Sequence, residues 1–373
     1  MIKNFMKKIY NNRGNKKLSK KKYDESIALY DRAISLDQNY CNAYYNKGLA
    51  LKEKGEIIKA IDAFDYVISV NPKYIKAYHQ KALILYNHKK YDEAISYFDK
   101  AIEFNPNHAE VHYNKGMALY GLKKHNEAIT EYDKAIKLRP RMSIAYNNKG
   151  VALFELGMYQ EAIKSFVVVI SIKKDEPDTY FNIGKCLSSL GRYEEAIKMN
   201  NEAVKRSSSY FTAYIDSGIA FSRLGKYEEA IKEYDKAIAI NPKYPLVYFN
   251  KAYSFLQLGK FDEALELNEK AIEVDPTFLK AYNNKADCLM KMGRLKEAAS
   301  VCEKVINNFS DNTPAYIYYT LSGIYSHMNY INKAVIALDK AIEKDNKYRK
   351  EVLKDKDFDN IRDCEEFKKI INS

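Results

Sequence analysis

The sequence predicts an all-α chain built as an array of ten repeats, each a pair of antiparallel helices. Three observations carry this expectation. Only 14 glycines and 8 prolines are spread over 373 residues, so the chain is poor in the residues that end helices and make hairpins. A phrase around Ala-Tyr-x-Asn-Lys-Gly returns at a fixed step of 34 residues, the mark of a repeat architecture. Each block holds two stretches with helical spacing of apolar positions, and neither can bury its apolar face alone. Stacked neighbours then supply one continuous core.

The blocks run 7–40, 41–74, 75–108, 109–142, 143–176, 177–210, 211–244, 245–278, 279–312 and 315–348, the first degenerate and the last displaced by two extra residues. In the first helix of each, the fourth residue is aromatic: Tyr10, Tyr44, Tyr78, His112, Tyr146, Tyr180, Tyr214, Tyr248, Tyr282 and Tyr318. The eighth is small: Gly14, Gly48, Ala82, Gly116, Gly150, Gly184, Gly218, Ala252, Ala286 and Ser322. Four residues of spacing place the pair on one helix face. Glycine weakens a helix, so its return at this position predicts a neighbouring backbone too close for a side chain.

The second helix is expected to begin near Tyr91-Asp92-Glu93-Ala94 and its equivalents, with the acids at the positive end of the helix dipole. Ala94, Phe98, Ala101 and Ile102 form its inward stripe. Pro72, Pro106, Pro140, Pro242 and Pro276 fall in the links, where proline ends the preceding helix. Residues 1–6 are expected as a basic tail. Residues 349–373, from Asp357-Phe358-Asp359-Asn360 to Phe367, Ile370 and Ile371, are expected as a C-terminal capping helix over the last stacking face. One softer seam is expected across 170–215, where Pro177 is displaced, Asn200 stands at a core aromatic position and Asp216 interrupts an amide row.

The net charge of +12 is concentrated at the start, since residues 1–22 carry +9 and no acid. A groove that tracks a nucleic-acid backbone is basic along its length, so nucleic acid is disfavoured as a partner and the basic start reads as a solvated end. The five cysteines, Cys41, Cys186, Cys288, Cys302 and Cys364, have no CxxC spacing and read as free thiols. No apolar run reaches the ~20 residues of a membrane span, and no secretory signal opens the chain. Cytoplasmic location is the expectation.

These blocks resemble the tetratricopeptide repeat family, over residues 7–348. The resemblance implies a right-handed superhelical solenoid with a concave face lined by the first helix of each pair. It places the second, fifth, sixth, ninth, twelfth and thirteenth residues of each block on that face. The sixth residues are Asn46, Gln80, Asn114, Asn148, Asn182, Asp216, Asn250 and Asn284. A carboxamide offers a donor and an acceptor together, and the row resembles the asparagine ladder of the O-linked N-acetylglucosamine transferases. Such a row either pairs with a peptide backbone or bonds a neighbouring loop of its own chain. Ninth and twelfth residues Leu49, Leu83, Met117, Val151, Tyr86, Tyr120 and Phe154 form an apolar strip of the kind that meets a partner. The carboxylate clamp of the co-chaperone branch needs lysine as fifth and asparagine as ninth residue. No block has both. The seventh residues, Lys47, Lys81, Lys115, Lys149, Lys251 and Lys285, either lay their stems along the core or present cations to acidic partners.

His108 and His112 flank Glu110 at a spacing that can bind metal, but His112 occupies a buried slot, so no metal site is expected. No phosphate loop, nucleophile elbow or HExxH sequence occurs, and the repeats leave no room for a catalytic domain. No enzyme activity, cofactor or small-molecule substrate is expected. The leading expectation is an adaptor that binds proteins or peptides. RNA binding and self-association through the end faces are the alternatives.

Overall fold

A computed structural model describes residues 2–372 of the chain. Helices come in pairs: α1 (Ile2–Leu18) with α2 (Tyr23–Leu36), α3 (Cys41–Lys54) with α4 (Ile57–Val70), α5 (Ile75–Asn87) with α6 (Tyr91–Phe104), α7 (Ala109–Gly121) with α8 (His125–Leu138), and α9 (Ser143–Glu155) with α10 (Tyr159–Ile172). The series continues with α11 (Pro177–Ser189) and α12 (Tyr193–Arg206), α13 (Phe211–Arg223) and α14 (Tyr227–Ile240), α15 (Pro245–Gln257) and α16 (Phe261–Val274), α17 (Leu279–Lys291) and α18 (Leu295–Phe309), and α19 (Ala315–His327) and α20 (Ile331–Lys344). No strand forms among the described residues. The chain divides into two compact units, the first ending at Asn182 and the second beginning at Ile183. Within each, successive helices pack side by side and the pairs stack in sequence.

Inside a pair, the small eighth residue and a ring on the second helix explain each other. A Cβ on Gly150 would lie 2.7 Å from the Phe166 ring, and one on Gly48 would lie 2.7 Å from Phe64. The close neighbour is therefore an aromatic side chain, not the backbone that the glycine pattern alone predicts. These rings, with Tyr30, Phe98, Tyr132 and Tyr234, are among the most deeply buried in the molecule. Beside them Ala94 and Ala101 are buried as expected, whereas Ile102 is only half-buried.

The turn inside each pair depends on one backbone conformation. The fifteenth residue of the block is left-handed throughout: Gly55, Gly157, Gly191, Gly225, Gly259 and Gly293, but also Lys21, Lys89, Lys123 and Asn329. Links between pairs use another device. Asn71, Asn105, Asn241 and Asp275 precede a proline, which disfavours helix. Each accepts through its side chain the backbone N–H two residues on, at 2.8–3.2 Å, closing an Asx turn.

Both ends depart from the sequence expectation. Residues 2–6 are not a tail but the first turns of α1, which packs along α2 with Gly14 facing Tyr30. Two of its lysines pair with acids of the first repeat, Lys7 with Asp37 and Lys17 with Glu25, and Lys22 just after it also joins Glu25. At the other end the expected single capping helix is broken into α21 (Tyr348–Glu351), a 3₁₀ turn at Lys356–Phe358 and α22 (Glu365–Asn372). Asp355 accepts the backbone N–H of Asp357 at 3.1 Å and the phenol of Tyr319 at 2.7 Å. Those bonds hold an irregular segment whose Val352, Phe358, Ile361 and Phe367 cover the last repeat.

Candidate functional site

The aromatic fourth residue has a reason beyond packing. Tyr180, Tyr248 and Tyr282 donate their hydroxyls to the carbonyl six residues earlier, in the link, at 3.0–3.3 Å. His112 makes the same bond through Nε2 to the Pro106 carbonyl at 2.9 Å. Its Nδ1 lies 2.7 Å from Glu131 Oε2, and both side chains are buried. Burial alone would raise the Glu131 carboxyl, but hydrogen bonds from His112 and Lys134 and the nearby Lys115 bring it down to about 2. Both imidazole nitrogens of His112 are thus engaged within the chain. Among the described residues no group of metal-binding side chains forms.

The row of seventh-position lysines turns out to be a ladder between repeats. Lys47, Lys81, Lys115, Lys149, Lys251 and Lys285 each reach an acid sixteen residues earlier, on the second helix of the preceding pair, at 2.5–2.7 Å. The partners are Asp31, Asp65, Asp99, Asp133, Asp235 and Glu269. Where the sequence has Ile183 and Ser217 instead of lysine, the matching positions are Val167 and Asn201. That paired absence was the signal available in the sequence. The lysine row is balanced by these acids and does not present a bare cationic track.

The sixth-position amides divide into two classes according to what stands thirty-five or so residues before them. Asn46 donates to Asn11 Oδ1 at 2.9 Å, Asn114 lies 2.7 Å from His79 Nε2, and Asn148 donates to the Tyr113 hydroxyl at 3.0 Å. In each case the partner is the fifth residue of the previous first helix. Gln80 instead accepts from Lys52 at 3.0 Å. Burial pushes His79 down to about 4, with His108 adding to the effect, so its ring is neutral at physiological pH and can accept at Nε2. Further along, the corresponding fifth residues are Ile215 and Phe249. The Nδ2 atoms of Asn250 and Asn284 are accordingly buried without a partner. The row is thus tied to neighbouring first helices in one part and unpaired in another, and does not bond loops. Asn182 is half-buried at the equivalent position. Asp216 is the only acid in the row, and burial pushes its carboxyl up to about 6.

The apolar strip converges. Tyr86, Met117, Tyr120, Asn148 and Val151, together with Tyr132, line a cavity of about 200 Å³ in the first unit. Three consecutive repeats contribute to it. All five strip and row residues are half-buried; Met117 and Tyr120 pack against the core of their own repeat and Tyr86 against that of the repeat before. Leu49 and Leu83 pack against the cores of their own repeats, and Phe154 lies 5.3 Å from Tyr159; none of the three reaches this cavity. Tyr132, a core ring of the second helix, was not singled out by the sequence because its position reads as packing alone.

Burial pushes the Cys186 thiol up to about 11 and Cys288 and Cys302 to about 12, so these thiols stay protonated at neutral pH. All five cysteines are free. No described helix is long and apolar enough to cross a membrane.

Comparison with known proteins adds the following. Family models described as TPR repeat match residues 14–55 and 218–259. Models described as tetratricopeptide repeat match 42–74, 75–108, 109–142, 144–176, 177–210, 255–318 and 315–348. No curated protein matches the chain. Among solved structures, a tetratricopeptide repeat protein from Parabacteroides merdae is similar with a TM-score of 0.55 and 21% identity, covering 71% of this chain and 99% of that one. Yeast Tom70 gives 0.49 and 16% over 100% of both chains. YrrB, described as a TPR protein with an unusual peptide-binding site, gives 0.43 and 24% over 50% of this chain and 97% of its own.

Proposed function

Because the chain belongs to the tetratricopeptide repeat family, we propose that it is a non-enzymatic adaptor that holds an extended segment of a partner protein along its first helices. The observation that carries the reading is the cavity in the first unit, where ninth and twelfth residues of successive repeats meet around Met117 and Val151. Its lining is aromatic and aliphatic with one carboxamide, the composition of a socket for an apolar side chain. Asn148 in its lining donates to the Tyr113 hydroxyl and accepts from Asn147 Nδ2 at 3.3 Å, so the apolar walls carry the contact with the segment. A cytoplasmic site of action belongs to the same proposal.

Replacing the row amides would be an ambiguous test, since Asn114 and Asn148 also tie one repeat to the next. Charges in the socket are cleaner. Met117→Glu and Val151→Glu should each weaken capture of the partner at least ~10-fold, because a buried carboxylate facing an apolar ligand side chain costs more than ~1.4 kcal/mol. Thr130→Glu, on an exposed second-helix position, should change nothing. Quantitative capture from native lysate, with circular dichroism as a folding control, reads the outcome. Capture that is unchanged in both socket variants would overturn the proposal.

A further inference from the structure

On α1, exposed apolar side chains and unpaired cations stand together. Ile2 is 80% exposed and Phe5 67% exposed. With the half-buried Ile9 they follow a spacing of three and four residues, which lines them along one side of the helix. Ile9 is the third residue of its repeat. The third residues Ala77, Val111, Ala145 and Val247 are fully buried and belong to the core of the pair before them, whereas α1 has no described pair before it. Arg13 stands at the seventh position, that of the ladder lysines, and makes no ion pair with any described residue. Lys3, Lys8, Lys16, Lys20 and Lys21 are exposed and likewise unpaired among the described residues. All four acids of residues 1–40 are already engaged, Asp24 with Lys54, Glu25 with Lys17 and Lys22, Asp31 with Lys47 and Asp37 with Lys7.

What could cover this face must answer six cations and an apolar row together. A second copy of the same face repels it, since each carries +9 over residues 1–22. A stacked helix of another protein would supply one acid at the junction, as each rung of the ladder does, and leave most of the cations unanswered. RNA would answer the cations but leave the isoleucines without a contact. An anionic bilayer answers both, because its headgroups spread negative charge over a wide area and its headgroup–acyl boundary takes in apolar side chains. We propose that α1 holds the chain at the surface of an anionic lipid bilayer, with Ile2 and Phe5 entering that boundary and the six cations facing the headgroups. The attachment is peripheral and no helix crosses the bilayer. It goes beyond the adaptor reading and stands apart from it, since the socket at Met117 and Val151 takes no part in it.

The chain contains no tryptophan, so Phe5→Trp in the full chain sets a single indole on this face. The probes are vesicles of phosphatidylcholine alone and of phosphatidylcholine with phosphatidylserine at a ratio of about 7:3. The indole emission should shift to the blue with the anionic vesicles and be quenched when their acyl chains are brominated. In cosedimentation, the parent chain should bind the anionic vesicles ~10-fold or more tightly than the neutral ones, and added salt should weaken that binding. Ile2→Ser with Phe5→Ser should weaken it ~10-fold or more at unchanged charge. Lys3→Gln, Lys8→Gln and Lys16→Gln together should do the same with the apolar row intact. Circular dichroism checks that each variant is folded. The proposal is overturned if brominated lipid leaves the indole emission unchanged, or if the serine variant binds the anionic vesicles as tightly as the parent does. Polyuridylate bound ~10-fold more tightly than the anionic vesicles, and equally by the serine variant, would make the face an RNA surface and overturn it as well.

Discussion

Lys123, like Lys89, carries a backbone cost that the glycines at the same turn position avoid. At φ of 60° an L-residue brings Cβ against the following carbonyl, at about 1–2 kcal/mol, whereas Gly157 occupies the same turn position without that clash. Lys123→Gly should therefore raise stability by ~1 kcal/mol after the glycine's extra chain entropy is set against the relieved strain. Thermal unfolding followed by circular dichroism would show it, and an unchanged or lower midpoint would refute the strain argument. This requirement for a left-handed fifteenth residue is only partly legible in the sequence. Six glycines mark it, but Lys21, Lys89, Lys123 and Asn329 hide it, because a turn forced by the two flanking helices does not need its best residue. The fourth-position tyrosines show the same limit. Their aromatic character was readable, while their bond to a link carbonyl was not, since a backbone acceptor leaves no side-chain signature. His112 looked like an exception until the shared acceptor showed that it fills the same role.

At the scale of the helix pair, α12 is the element whose packing is least satisfied. Asn200 is fully buried, and neither its oxygen nor its nitrogen has a partner, whereas the other pairs with glycine at the eighth position bury a tyrosine or phenylalanine there. Asn268 at the equivalent place fares better, donating to the Ala264 carbonyl at 2.8 Å. Each orphaned buried polar group costs about 1–3 kcal/mol. Asn200→Tyr should restore the ring over Gly184, raise stability by ~1–3 kcal/mol and slow amide hydrogen exchange along α12. Faster exchange would show that the space left by asparagine cannot accept a ring. The core aromatic slot and its failure at Asn200 were legible from the 34-residue period. A cap after α20 was expected as one helix, but its break into short pieces was not legible, because irregular segments held by Asp355 have no periodicity to read.

For the whole molecule, titration acts differently on the two units. In the first, His79 folds with its ring at about 4, below the ordinary 6.5, so its contribution to stability falls as pH drops from about 6.5 to 4. Glu131 folds at about 2, below 4.5, and its contribution is lost as pH drops below about 4.5. In the second, Asp216 folds at about 6, above 3.8; the folded state holds the proton more tightly, so stability rises as pH falls from about 6 to 4. Asp216→Asn should remove that rise and add on the order of 2 kcal/mol at about pH 7. Hydrogen exchange, corrected for intrinsic rates and resolved by helix, separates the units. The idea fails if α13 and α14 respond to pH identically in the variant and the parent chain. The candidate site was legible in proportion to its regularity. The cavity around Met117 follows from ninth and twelfth residues projecting alike from consecutive repeats, whereas the unpaired Asn250 depends on Ile215 replacing a polar partner, which matters only once the neighbouring helix is in place.

The lysine ladder has a consequence for heredity. Each pairing joins the seventh position of one repeat to the twenty-fifth of the repeat before it, and both ends recur together. Loss of residues 109–142 from the gene would bring Asp99 opposite Lys149, and duplication of the same stretch would set Asp133 opposite a second Lys115. In this part of the chain the array can lengthen or shorten by whole repeats while every junction keeps a matched charge. The stretch holding Val167, Ile183, Asn201 and Ser217 sets the limits of that freedom, because loss of 143–176 would leave Asp133 facing Ile183 and loss of 211–244 would leave Lys251 facing Asn201.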